Sequence, residues 1–135
     1  MMARLTSHPP AGRILIVGGE PHEAEFLGFV LTDVGYQVAV AGDGEQALAL
    51  AERFAPDAMV VDLVLPHLSG WEFLEQLRSD PKSAEPIILA LGQGDVPQTK
   101  ARAVAAGADA YCTKPVPPSS LLGELSKLGV PPPVS

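Results

Sequence analysis

The sequence predicts an α/β fold in which helices cover both faces of one doubly wound parallel sheet. Five short segments are apolar on both faces rather than alternating, which is typical of buried parallel strands. Each of them is followed by a segment with helical spacing of its apolar residues. Five strand–helix units in about 115 residues fit a single domain. The 135 residues, 47% of them hydrophobic, are enough to form one buried domain interior.

The five predicted strands are short runs dominated by Ile, Val, Leu and Ala. Because a parallel sheet is buried on both sides, these runs need no polar alternation. Right-handed crossovers between them would place helices on both faces. The predicted strands are Arg13–Val17, Gln37–Ala41, Ala58–Leu63, Ile87–Leu91 and Ala110–Thr113.

The predicted helices carry apolar stripes at spacings of three and four residues. Asp43 and Gln46 are spaced as a capping pair before the second helix, and Ser69 and Glu72 form a capping box before the third. The stripe of the fourth helix is weaker and ends at Gly107. The stripes of the first, second, fourth and fifth helices are Leu27, Val30, Leu31 and Val34; Ala47, Leu48, Ala51 and Phe54; Ala101, Val104 and Ala105; and Leu121, Leu122, Leu125 and Leu128.

Charge and composition argue against several classes of protein. Sixteen acidic and nine basic residues give a net charge of −7, so we expect no direct DNA binding. Cys112, the single cysteine, cannot form an internal disulfide, and no apolar run approaches the roughly 18 residues of a membrane span. We therefore expect a cytoplasmic protein without membrane contact. Residues 1–12 resemble a flexible leader and 130–135 a Pro-rich extended tail, which leaves 13–129 as the domain.

Two charged residues stand at the ends of predicted strands, where ligands of parallel α/β sheets bind. Asp62 ends the third strand and Lys114 follows the fifth. A carboxylate at the end of an apolar strand is costly unless it has a partner or a task. Considered alone, Asp62 is compatible with a role as a turn cap, and Lys114 is compatible with a role in an ordinary salt bridge. Because strand ends converge at one edge, Lys114 is the nearest candidate counter-ion of Asp62.

Three motifs together resemble the receiver domain of two-component response regulators, over roughly residues 12–129. The segments Gly42–Leu48, Asp62–Gly70 and Ala106–Pro115 look like the family's second-helix entry, phosphoacceptor loop and fifth-strand motif. The resemblance implies a (βα)5 flavodoxin-like three-layer sandwich with strand order 2-1-3-4-5. It also implies a cis peptide bond between Lys114 and Pro115.

The resemblance assigns roles to individual residues at the sheet edge. Asp62 matches the phosphoacceptor position, Lys114 the residue that holds the phosphoryl group, and Tyr111 the switch aromatic. The family has a Thr or Ser after the fourth strand, whose hydroxyl contacts the phosphoryl group. Here Leu91 stands at that position and offers no hydrogen-bonding atom on its side chain. We therefore expect a degraded switch.

The expected metal site is degraded as well. The family binds magnesium with an acidic pair after the first strand, but Gly18 and Gly19 stand there in this chain. Magnesium depends on a few carboxylate oxygens and retained waters, so we expect no cofactor or weakly bound Mg²⁺. The remaining candidate ligands are Glu20, Asp62 and the backbone carbonyl of Val64.

These features predict a response-regulator receiver in phosphorelay signal transduction, a single-domain chain without an output domain and not an enzyme. The expected partners are a histidine kinase or a downstream signalling protein, bound through the face of the fourth helix, fifth strand and fifth helix. The chain is expected to be a monomer or weak homodimer. One alternative is a receiver-like interaction module that works without phosphorylation. A more distant alternative is a flavodoxin-like nucleotide-binding protein, although no Gly-rich phosphate loop is present.

Overall fold

The computed structural model describes residues 12–63, 70–80, 86–93 and 97–133. Its strands are β1 (Arg13–Val17), β2 (Gln37–Ala41), β3 (Ala58–Asp62), β4 (Ile87–Gln93) and β5 (Ala110–Lys114). Its helices are α1 (Pro21–Asp33), α2 (Gly44–Phe54), α3 (Gly70–Ser79), α4 (Pro97–Ala106) and α5 (Pro118–Lys127). The strands form one parallel sheet in the order β2-β1-β3-β4-β5, which confirms the predicted fold and topology.

Each face of the sheet has its own hydrophobic core. α1 and α5 cover one face, and α2, α3 and α4 cover the other. Successive strand residues alternate between these cores: Leu15 packs under α2, α3 and α4, whereas Ile14 and Ile16 pack under α1 and α5. This alternation explains why consecutive positions of the central strands β1, β3 and β4 are apolar. Within the described residues, no helix has the length and apolar character needed to cross a membrane.

Local capping fixes the start of α2 as predicted. Asp43 Oδ1 accepts a hydrogen bond from the Gln46 N–H at 2.8 Å, and Gln46 Oε1 accepts one from the Gly42 N–H at 2.8 Å. These two bonds satisfy backbone donors that a helix start leaves unpaired. The predicted capping box before α3 includes Ser69, which lies outside the described residues.

The predicted apolar stripe of α4 is wrong. The structure buries Ala103, whereas Val104 is 52% exposed and Ala101 and Ala105 are exposed. Four of the ten residues of α4 are alanine, so the helix has little apolar contrast between its faces and periodicity does not determine its rotation. Packing against α3 determines it instead: the guanidinium of Arg102 lies 4.4 Å from the ring centroid of Trp71.

The prediction of an extended tail over residues 130–135 is also wrong at its first residue, because Val130 is part of the folded domain. Val130 is only 3% exposed, and its N–H donates to the Leu125 carbonyl at 2.8 Å. Its carbonyl accepts a hydrogen bond from the buried Tyr36 hydroxyl at 2.5 Å. Farther along, Pro133 packs against the backbone of Gly12, so both ends of the described chain meet. Residues 1–11 and 134–135 of the predicted leader and tail lie outside the described residues.

Replacing Tyr36 tests how strongly this contact holds the end of the domain. Burial raises the pKa of Tyr36 to about 12 from 10.0, so the protonated hydroxyl stabilises the fold below pH 10 and this stabilisation falls as pH rises toward 12. We expect Tyr36→Phe to lower the free energy of unfolding by about 1–3 kcal/mol at pH 7, since the Val130 carbonyl loses its donor. The variant should also lose less stability than the wild type between pH 10 and 12. Urea denaturation at pH 7, 10 and 11.5 measures both effects, and an unchanged alkaline loss would contradict the prediction.

Candidate functional site

The candidate site lies where the carboxyl ends of four strands meet at one edge of the sheet. Asp62 at the end of β3 is directly opposite Leu91 in β4, and Leu91 is opposite Cys112 in β5. By strand alternation, Gly18 and Lys114 fall on the same face, beneath α1 and α5. The topology therefore brings together four of the residues that the sequence analysis singled out.

Lys114 and Asp62 form a direct ion pair. The Nζ atom of Lys114 lies 2.5 Å from Oδ2 of Asp62, and the side chains are only 14% and 7% exposed. The lysine extends from β5 across β4 to reach β3, so Leu91 lies between the two strands that the pair connects. The convergence of strand ends predicted this contact. The Lys114–Pro115 peptide bond is cis, as the family resemblance implied.

A second carboxylate, Glu23, also contacts Lys114, and the sequence analysis missed it. Its Oε1 atom lies 3.2 Å from Lys114 Nζ, and its side chain is 47% exposed. Glu23 belongs to the first turn of α1 and stands four residues before the buried Leu27. Residues four apart share a helix face, so this spacing was the available signal that Glu23 turns toward the sheet.

Glu20, the acidic residue that the sequence analysis considered as a ligand, has a different role. It is the N-cap of α1, and its Oε1 atom accepts the His22 N–H at 3.1 Å in an exposed position. Its carboxylate thereby satisfies a backbone donor at the helix start. The structure does not place Glu20 in the site. Val64, whose carbonyl was the remaining candidate ligand, lies outside the described residues.

The environment keeps the Lys114 ammonium charged. Burial alone lowers the pKa of Lys114, but hydrogen bonds and charge interactions with Asp62 and Glu23 raise it by more, and the net pKa is raised. The ammonium form therefore stabilises the fold at neutral pH, and this contribution is lost only when pH rises above the ordinary value of 10.5. Two carboxylates and one ammonium leave these three residues with a formal charge of −1.

The two glycines at the end of β1 have backbone conformations that suit glycine. Gly18 and Gly19 have φ angles of +75° and +91°, in the left-handed region that L-residues enter at a cost. A Cβ atom on Gly19 would lie 3.4 Å from Asp62 Oδ2 and 3.9 Å from Glu23 Oε1. A side chain at this position would therefore point into the site. The space left beside Asp62 is a cavity of about 20 Å³, the size of about one water molecule.

Magnesium does not fit the residues that surround this cavity. Gly18 and Gly19 provide no carboxylate, and both Asp62 and Glu23 already bind the Lys114 ammonium. Among the described residues, no group of three or more His, Cys, Asp or Glu side chains could hold a metal ion. Magnesium is small, holds its waters firmly and depends on anionic oxygens, so this donor set favours the ammonium as the resident cation.

Leu91, which the resemblance aligns with the family's Thr or Ser, lies beside Asp62 in the structure. Its side chain is buried and lines the cavity beside Asp62. It also forms the floor of a groove of about 140 Å³ between α1 and the start of the β5–α5 loop, which Phe26 and Val116 border. A leucine here contributes packing and no hydrogen bond, so position 91 offers no side-chain donor to an anion at Asp62.

Tyr111 lies on the opposite face of the sheet and packs against β4. A Cβ atom on Gly92 would come within 2.7 Å of Tyr111 Cε1 and 2.9 Å of Cζ, so the ring rests directly on the glycine. The ring also packs against the core under α2, α3 and α4. The absence of a side chain at Gly92 thus permits the inward position of Tyr111. The nearby Cys112 is half-buried, and burial followed by the charge of Glu124 raises the pKa of its thiol.

Comparisons with known proteins agree with this geometry. The chain is 38% identical over 102 residues to the probable transcriptional regulatory protein TcrX of Mycobacterium tuberculosis, covering 76% of this chain and 43% of TcrX. It is 36% identical over 113 residues to the DNA-binding response regulator MtrA of Mycolicibacterium smegmatis, covering 84% of this chain and 48% of MtrA. The chain thus spans about half the length of these curated relatives.

Solved structures show the same fold. The chemotaxis response regulator CheY4 of Vibrio cholerae superposes with a TM-score of 0.81 at 30% identity, covering 87% of this chain and 98% of that one. A putative response regulator from Chloroflexus aurantiacus gives 0.82 at 31% identity, covering 90% and 98%. The family profile of the response regulator receiver domain matches residues 14–126. The sheet order, the Asp62–Lys114 pair and these similarities lead to one conclusion: this chain belongs to the receiver domain family of two-component response regulators.

Proposed function

We propose that this receiver domain signals without magnesium-dependent phosphorylation, with Lys114 as the permanent cation of the Asp62 site. One observation carries the proposal: Lys114 Nζ lies 2.5 Å from Asp62 Oδ2, while Gly18 and Gly19 provide no carboxylate. A cluster of three carboxylates needs a bound cation, whereas a carboxylate–ammonium pair is compensated within the protein. The site is therefore complete in its resting state.

The charges around Asp62 oppose phosphorylation. A phosphoryl group adds close to two negative charges at neutral pH. In this site it would share the Lys114 ammonium, the one cation that the described residues place at Asp62, with the carboxylate of Glu23. Leu91 offers it no hydrogen bond. A ligand shifts a conformational equilibrium only through contacts that differ between the two states, and the contact that the family obtains from a hydroxyl is absent at Leu91.

We further propose that the partner-binding surface is constitutive. The ring of Tyr111 is held on Gly92 by packing that does not involve Asp62, which lies on the other face of the sheet. In this proposal α4, β5 and α5 present a fixed face to a histidine kinase or a downstream signalling protein. The domain itself binds no DNA, in keeping with its net charge of −7. Signalling by the domain would then be regulated by the abundance of the protein or by partner binding.

Treatment with a small phosphodonor tests the proposal. We expect no gain in intact mass when the wild-type protein is incubated with acetyl phosphate and millimolar Mg²⁺. Asp62→Asn serves as the matched control because it removes the acceptor and retains the size of the side chain. A Mg²⁺-dependent gain of one phosphoryl group in the wild type, absent from the control, would overturn the proposal. That result would favour the second candidate function, an ordinary phosphorylated receiver.

A further inference from the structure

Glu23 already contacts the Lys114 ammonium, the group that a phosphoryl-type anion at Asp62 would bind. Its Oε1 atom is 3.2 Å from Lys114 Nζ, and Asp62 Oδ2 is 2.5 Å from the same nitrogen. The two carboxylate oxygens therefore lie within about 6 Å of each other, a range in which like charges repel measurably. A lysine ammonium has three N–H donors, and these two carboxylates claim two of them.

The position of Glu23 follows from the way α1 begins. Glu20 caps the helix, so Glu23 falls in its first turn and Leu27, one turn later, enters the core beneath. This arrangement points the Glu23 carboxylate across the end of β1, over the place where Gly19 has no side chain. The carboxylate that the end of β1 does not provide is thus replaced by one from α1, and this one binds the lysine.

We propose that Glu23 is an electrostatic gate of the Asp62 site: its carboxylate binds Lys114 in place of a phosphoryl oxygen and repels anions from the site. The inference rests on the proposed function, since it explains why the resting site needs no metal and accepts no anion. It makes Glu23 a positioning residue that acts through Lys114. Because nearly half of its side chain is exposed, Glu23 can leave Lys114 without unfolding the helix.

The chain offers a matched control on the same helix. Glu25 is also an exposed glutamate of α1, but residues two apart face different sides of a helix. Glu23→Gln and Glu25→Gln change the net charge of the protein equally. Only Glu23→Gln removes the carboxylate at Lys114, so a difference between the two variants reports the local contact and not the overall charge.

The test is a titration with inorganic phosphate in the presence of a metal chelator, followed by the amide chemical shifts of Gly19 and Leu63. We expect Glu23→Gln to bind phosphate at least about tenfold more tightly than the wild type, because one negative charge beside the anion is removed in a partly screened site. Glu25→Gln should behave as the wild type. Adding Lys114→Met to Glu23→Gln should abolish the gain, since the released ammonium is what binds the anion.

Three results would overturn the inference. The first is equal phosphate affinity in Glu23→Gln and the wild type, which includes the case in which neither protein saturates. The second is an equal gain of phosphate affinity in Glu25→Gln. The third is a gain of affinity in Glu23→Gln that persists when Lys114→Met is added. The outcome is separable from that of the proposed function. The phosphate titration contains neither a divalent metal nor a phosphodonor, whereas the proposed function fails only if the wild type is phosphorylated in magnesium.

Discussion

Lys114→Met should destabilise the protein by about 3 kcal/mol, because it leaves the buried Asp62 carboxylate without its ammonium partner. Breaking one side of a fully buried pair costs roughly 3–5 kcal/mol, and the slight exposure of both side chains places this pair at the lower end. Glu23 loses the same partner, but its side chain is half-exposed and water replaces the contact. Chemical denaturation at pH 7 measures the loss.

A double-mutant cycle separates the pair from simple loss of packing. Asp62→Asn combined with Lys114→Met removes both charges, so the double variant should lose less stability than the sum of the single variants. Lys127→Met is the control, because its ammonium is exposed and pairs with Glu124 at 3.5 Å on the helix surface. Its effect should stay within about 0.5 kcal/mol. Strict additivity of Asp62→Asn and Lys114→Met would show that the pair contributes nothing.

The second large expected effect is a gain of phosphorylation at Asp62. Gly18→Asp, Gly19→Asp and Leu91→Thr together introduce the three side chains that the family resemblance leads us to expect at these positions. We expect the triple variant to gain one phosphoryl group from acetyl phosphate in Mg²⁺, at a rate on the order of 100-fold above the detection limit that the wild type does not exceed, since a bound metal contributes several kcal/mol to charge stabilisation. Intact mass over time measures the rate with and without Mg²⁺.

The same variant has a cost that only the structure reveals. Gly18 and Gly19 have positive φ angles, so each aspartate should lower the free energy of unfolding by about 1–2 kcal/mol unless the loop changes conformation. Leu91→Thr alone should gain no phosphorylation, and adding Asp62→Asn should abolish the gain of the triple variant. A folded triple variant that stays unreactive would show that the β1–α1 backbone, and not the missing side chains, blocks the chemistry.

The sequence by itself determined the fold and the centre of the site. Its short apolar runs alternate with segments of helical spacing, and this combination favours parallel strands that helices cover on both faces. The ion pair between Asp62 and Lys114 could be predicted from the sequence, because the carboxyl ends of parallel strands converge at one edge and a buried charge needs a partner. Side-chain type alone led to the prediction of a degraded site, because glycine and leucine have no side-chain donor or acceptor atoms.

Only the tertiary structure determined where long or weakly patterned side chains are placed. Glutamates occur at both position 20 and position 23. The spacing of Glu23 from Leu27 indicates only its helix face, and the structure is needed to show that Glu20 caps the helix and that Glu23 reaches Lys114. The rotation of α4 depends on packing, since its alanine-rich surface has little apolar contrast. Val130 packs into the core under α1 and α5, and its carbonyl accepts the hydroxyl of Tyr36, which is distant in sequence. Each of these outcomes depends on a contact between separate elements, and such contacts leave no periodic signal along the chain.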